Sequence, residues 1–195
     1  MTDSRERTAR KWRTIVVDPP WRVGRGPEWS SNGASRPLVY PTMEMAEIEE
    51  LPLGDWAEKD AHLYVWLINA YIEDAYALVR GWGFKPSTLL TWCKPSNGIG
   101  LGGTFSLTTE YILFARRGTL KALQRFDTTW WQWPRSRHSE KPQAFYDMVE
   151  TASPGPYLDV FARKQRMGWD VAGNEVYSAI PELAAQTADE QRGGE

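Results

Sequence analysis

An aspartate, two prolines and a tryptophan stand together at Asp18-Pro19-Pro20-Trp21, directly after the apolar run Thr14-Ile15-Val16-Val17. That run reads as a buried parallel strand. Proline has no N–H and a fixed φ, so the strand stops there and the carbonyls before each ring are held in a stiff, extended turn. Ligands of open α/β sheets bind at the carboxyl ends of the strands. The tetrapeptide therefore places an acid, rigid backbone acceptors and an indole together at a predicted cleft. An exocyclic amine on an aromatic base needs that combination: acceptors for its N–H groups and a flat surface under its ring.

The elements that must position these residues can be read along the chain. The pattern predicts a strand around 13–18, then a long polar loop from Trp21 to about Pro41. Thr42 is the expected N-cap of a helix over 43–51, with Glu44 and Glu47 in its first turns and Pro52 as its stop. A strand at 61–67 precedes a helix at 70–82, whose Ile72, Ala75, Tyr76 and Val79 recur at helical spacing before Gly81 and Gly83. Strands at 87–93 and 109–116 lack a helix between them, which predicts an antiparallel, hairpin-like pair. A loop from about 126 to 140, carrying Trp130, Trp131 and Trp133, leads to a helix at 142–151 that starts at Pro142. Strands at 157–161 and from Trp169 complete the pattern. Alternation of strands and helices predicts an α/β class: a Rossmann-like, doubly wound, mostly parallel sheet with one antiparallel strand.

Composition narrows the classes. The chain has 195 residues and is 42% hydrophobic and 25% charged, as expected of a globular protein large enough to bury a core. The expected layout is one domain over 1–180, opening with a basic arm at about 1–11, and an acidic tail at 181–195. Cys93 is the single cysteine, which excludes intrachain disulfides and suits a cytoplasmic setting. Cys93, His62 and His138 are too far apart for a zinc-ligand spacing, and no stretch is apolar and long enough for a membrane span. A net charge of −2 argues against wrapping nucleic acid by bulk electrostatics. Cations nevertheless gather locally, at Arg22, Arg25 and Arg36 and again at Arg135, Arg137, His138 and Lys141. Loop tryptophans beside arginines suit base stacking, and equally protein interfaces.

The tetrapeptide, in this context, resembles the signature of the MT-A70 family of adenine N6-methyltransferases. Further segments follow in the family's order over roughly residues 12–178. Tyr40-Pro41-Thr42-Met43, Leu63-Tyr64-Val65-Trp66 and Thr91-Trp92-Cys93-Lys94 are similar to its post-loop segment and next two strands. His138-Ser139-Glu140-Lys141-Pro142 resembles its His-Ser-x-Lys-Pro stretch. Asp159-Val160-Phe161-Ala162-Arg163 and Gly173-Asn174-Glu175 are similar to its C-terminal cofactor segments. The order is that of a permuted methyltransferase, with the catalytic strand first and the cofactor strand last. If those two strands are neighbours, their carboxyl ends form one cleft.

The resemblance implies S-adenosylmethionine as methyl donor and adenine N6 as acceptor. Catalytic roles fall to Asp18, Pro19, Pro20 and Trp21. Cofactor contacts fall to Asp18, Lys141, Asp159, Phe161, Arg163, Asn174 and Glu175, and no metal is expected. Substrate contacts are assigned to Arg22, Arg25, Tyr40, Glu110, Trp131, Arg135, Arg137 and His138. The compact chain resembles bacterial and phage members more than the larger eukaryotic RNA-modifying subunits, so DNA is the expected substrate and RNA the alternative. Only seventeen residues precede Asp18, so the cofactor side served by upstream residues in larger relatives is expected either to use the arm, to be open, or to be completed by a partner chain, a second copy or another subunit. A catalytically silent nucleic-acid-binding subunit and an aromatic-rich carbohydrate module are the competing classes.

Overall fold

The structure is a computed structural model that describes residues 10–22, 42–95, 104–134, 140–173 and 180. The acidic tail and nearly all of the basic arm lie outside the described residues. Seven strands form one sheet: β1 Trp12–Val17, β2 Ala57–Leu67, β3 Lys85–Cys93, β4 Thr109–Arg117, β5 Trp130–Trp131, β6 Tyr157–Val160 and β7 Trp169–Ala172. Their order across the sheet is β5-β3-β4-β2-β1-β6-β7. β1 runs parallel to both β2 and β6, β6 to β7, and β3 to β5, whereas β4 is antiparallel to β2 and β3. This is the expected mostly parallel sheet with one reversed strand.

The central strand β1 is buried on both sides because it alternates apolar contacts between two faces. Ile15 and Val17 pack with Leu63, Val65 and Leu113 under helices α1 Met45–Glu49, α2 Leu53–Trp56 and α3 Ile72–Gly81. Val16 lies on the other face with Tyr64, Trp66 and Ile112, against Phe145, Met148 and Val149 of α4 Gln143–Ala152. Helices on both faces make the sheet doubly wound. No helix among the described residues is long and apolar enough to cross a membrane.

Several boundaries differ from the sequence reading, each for a local reason. The first helix begins after Glu44 rather than Thr42, because the Glu47 carboxylate accepts the Glu44 N–H at 2.6 Å and closes the turn there. β2 starts at Ala57, four residues early, where Trp12 of β1 already offers a partner. The third tryptophan segment is not all loop. Trp130 and Trp131 add a short edge strand to β3, and Trp133 is buried, its carbonyl accepting Trp92 Nε1 at 3.0 Å.

Two backbone features shape the carboxyl end of β6. Phe161 adopts φ 66, a left-handed conformation that a bulky residue takes only when its surroundings impose it. The next residue, Ala162, donates its N–H to Ala172 O at 3.0 Å. A Cβ on Gly173 would stand 2.3 Å from the Ala162 carbonyl oxygen, so only glycine allows β7 to close on that turn.

Candidate active site

Asp18 follows β1 directly, and three backbone contacts fix its turn. The Asp18 N–H donates to Val160 O at 3.3 Å, Trp21 N–H to Pro19 O at 2.7 Å, and Met43 N–H to Pro20 O at 3.0 Å. The prolines thus end the strand, and their carbonyls are partly engaged in holding the turn. Pro19 O has one acceptor position used and one remaining. β1 and β6 are neighbours, as expected, with Val16 opposite Asp159. The acid at the end of one strand and the acid on the other consequently open into one cavity.

That cavity has a volume of about 310 Å³, within the range of small-molecule sites. Asp18, Trp66, Lys141, Tyr146, Asp159 and Arg163 are among its walls. Its acidic and basic groups are arranged in alternation. Lys141 Nζ lies 3.1 Å from Asp18 Oδ2 and 3.4 Å from Glu110 Oε2, and Lys94 Nζ lies 3.0 Å from Glu110 Oε1. The Lys141 ammonium also stands 4.3 Å from the centroid of the Trp66 ring, a cation–π contact strengthened by burial.

Burial and pairing set the protonation states. Burial would lower the Lys141 pKa, but the Asp18 and Glu110 carboxylates outweigh it and hold the amine above its ordinary value. Burial likewise acts to raise Glu110, and Lys141 and Lys94 reverse the effect, so that its pKa is lowered. At Asp18 burial prevails and raises the pKa, opposed by Lys141. Asp159 is pushed up to about 7 by burial, although Tyr146 OH donates to its Oδ2 at 2.8 Å. The Arg166 guanidinium covers the Tyr146 ring at 3.8 Å and donates to Gln143 Oε1 at 2.9 Å, which fixes the phenol that serves Asp159.

The structure gathers Asp18, Lys141, Asp159, Phe161 and Arg163 around the cavity, with Glu110 joined to them through Lys141. Asn174, Glu175, Arg25, Tyr40, Arg135, Arg137 and His138 lie outside the described residues. Arg22 is exposed and paired with Glu44. Trp131 sits in the edge strand, stacked on Trp133 at 5.4 Å and not beside Asp18 in that ladder.

Trp21, expected to stack on the base, is turned into the core. Its indole is only 6% exposed, one face lies on Tyr71 at 4.8 Å, and Nε1 donates to Trp66 O at 2.9 Å. The strand end draws the ring into the core because its large apolar surface finds α3-side partners there. Tyr146, Lys94 and Trp66 were not picked out as site residues by the sequence. Tyr146 was detectable in principle, five residues after Lys141 in the first turn of the helix that follows it.

A family comparison adds to this geometry. The MT-A70 family model matches residues 12–175. The chain belongs to the MT-A70 family. It is 26% identical to the Type II methyltransferase M.MunI of Mycoplasma sp over 91% of this chain and 83% of that protein. It is 25% identical to a putative N(6)-adenosine-methyltransferase MT-A70-like protein of Medicago truncatula, and 24% identical to the human N(6)-adenine-specific methyltransferase METTL4. Those matches cover 85% and 83% of this chain but only 26% and 37% of the two longer proteins.

Proposed function

We propose that this chain is an S-adenosylmethionine-dependent methyltransferase that modifies N6 of adenine in DNA. The observation that carries this reading is the Asp18 carboxylate, held 3.1 Å from Lys141 at the mouth of a cavity also lined by Asp159. The cavity suits a zwitterionic, hydroxyl-bearing donor. It offers carboxylates to cationic and hydroxyl groups, and Lys141 and Arg163 to a carboxylate. Trp66 is also among the walls, and its buried Nε1–H has no hydrogen-bond partner among the described residues.

When bound, S-adenosylmethionine supplies an electrophilic methyl group. The work of the chain is to present the amine. N6 of adenine is a weak nucleophile because its lone pair is delocalised into the ring. Asp18 and the remaining lone pair of Pro19 O accept its N–H groups and stabilise the positive charge that develops on attack. Lys141 opposes the effect of burial on Asp18 and fixes the direction of the carboxylate. Glu110 and Lys94 anchor Lys141 in turn. Holding both reactants in one cleft supplies the remaining acceleration through positioning. An adenine in a duplex must leave its stack to reach Asp18.

DNA is favoured because the chain matches M.MunI over most of both lengths, whereas the longer relatives carry much sequence it does not share. The test is transfer of labelled methyl groups to matched DNA and RNA oligonucleotides by wild type and Asp18→Ala. Label is expected at adenine in DNA, with the variant down by about 10²–10³-fold. Label in RNA alone would reassign the substrate, and full activity in the variant would sink the mechanism.

A further inference from the structure

We infer that the opposite end of the sheet carries a second docking surface, which grips the phosphate backbone of the nucleic acid away from the target base. An open cleft of about 990 Å³ lies there, lined by Lys85, Arg116, Arg117, Lys121 and Arg125. Among the described residues, no acidic side chain lines it. Lys85 opens β3 opposite Arg116, and the same ladder places Glu110 opposite Trp92 at its other end. The two sites are therefore separated by about 23 Å, from about seven residues at about 3.3 Å each.

The cleft is built rather than accidental. Gly118 turns at φ +63, where a side chain would collide with Asp60 Oδ1 and the Lys59 carbonyl. Asp60 accepts the Thr119 N–H and hydroxyl and so pins the rim, and Leu123 N–H donates to Ala152 O at 2.9 Å to tie the segment to α4. Arg117 is occupied with the Gly54 carbonyl. Lys85, Arg116, Lys121 and Arg125 are exposed and form no ion pair among the described residues. Together they concentrate positive charge around one concavity. On a chain of net charge −2, such a concentration is complementary to a polyanion with regularly spaced charges. A nucleic-acid backbone meets that description, and the exposed rim suits contacts that position without reading sequence.

This inference rests on the catalytic cleft acting on nucleic acid. A duplex seated at Asp18 reaches the second surface only if it extends well beyond the target, by on the order of one helical turn of about 34 Å. The experiment compares full-length wild type with the double variant Lys121→Glu/Arg125→Glu. Binding of 10-bp and 30-bp DNA duplexes is measured between 50 and 200 mM salt, with methyl transfer to the 10-bp duplex alongside. The variant is expected to bind the 30-bp duplex at least tenfold more weakly. Its log K against log salt slope should fall by about 2, near 0.9 for each phosphate that is no longer neutralised. The melting temperature and transfer to the 10-bp duplex should match wild type. Unchanged affinity and slope on the 30-bp duplex would overturn the docking surface while leaving the catalytic reading intact. Wild type that binds neither duplex and transfers no methyl group would overturn the catalytic reading, and the docking surface with it.

Discussion

The two ends of the sheet treat charge in opposite ways. At the carboxyl end, Lys94, Glu110, Lys141 and Asp18 form an alternating row in which every side chain is less than a third exposed. At the amino end, Lys85, Arg116, Lys121 and Arg125 lie in the open without opposite partners among the described residues. Water screens the open set, so each of those cations costs little and holds no fixed geometry. The enclosed row is weakly screened, and each member depends on its neighbours. The difference teaches that a site which must orient one amine uses mutual burial, whereas a surface that only needs affinity leaves its charges hydrated.

Removing one charge from the enclosed row should break this contrast most severely. Lys141→Met leaves Asp18 and Glu110 facing each other without their shared cation. Loss of one partner of a buried pair costs about 3–5 kcal/mol. Urea unfolding should record that loss, whereas Lys121→Ala at the open end should stay within about 0.5 kcal/mol of wild type.

Asp159 sharpens the comparison through pH. Its carboxyl titrates near 7 in the folded chain against a reference of 3.8. Between those values the unfolded chain is ionised there while the native state keeps its proton. The native state then binds more protons, so this group's contribution to stability falls as pH rises from about 4 to 7. At about 1.4 kcal/mol per pH unit, the full effect is at most about 4 kcal/mol. Asp159→Asn imitates the neutral form. Thermal unfolding of the variant from pH 5 to 8 should be flatter than that of wild type and higher at pH 8. Parallel curves would remove Asp159 as the source.

Glu110 should respond with the opposite sign. Lys141 and Lys94 hold its pKa below 4.5, so its contribution is present above the unfolded value and lost as pH falls through the folded one. Lys94→Met weakens that hold by removing a partner at 3.0 Å. The expected loss is about 1–2 kcal/mol at pH 7, with the onset of acid unfolding moved upward. An acid transition identical to wild type would show that Lys141 alone sets Glu110.

Much of this contrast was legible in the sequence at its carboxyl end and little at the other. Apolar runs and punctuating prolines located β1, β6 and the turn at Asp18, because burial on both faces demands continuous apolar strands. The reversed strand β4 was visible because no helix separates it from β3. The row through Lys94 was not, since Lys94 and Glu110 meet only after the β3–β4 register places Trp92 opposite Glu110. The basic cleft was hidden for the same reason. Lys85 stands far in sequence from the run that carries Arg116, Lys121 and Arg125, and a net charge of −2 conceals their convergence. The inward turn of Trp21 was not legible because residue type announces a flat ring but not which way the ring turns.

Trp21→Phe has an effect no larger than Lys94→Met and gives the sharpest test of where that ring acts. Its Nε1–H and the Trp66 carbonyl form a buried bond of 2.9 Å, and Trp66 carries the ring beneath the Lys141 ammonium. Phenylalanine keeps a ring to lie on Tyr71 but deletes the donor, leaving the Trp66 carbonyl without that partner. Trp21→Phe should therefore lose about 1–2 kcal/mol of stability in urea. A ring that stacks on the target base predicts something else: a raised KM for oligonucleotide with stability unchanged. A ring that braces the strand end predicts a lowered unfolding midpoint with KM nearly constant at temperatures well below it. The 6% exposure of the indole favours the brace, since a surface already covered by Tyr71 has little area left to offer a base.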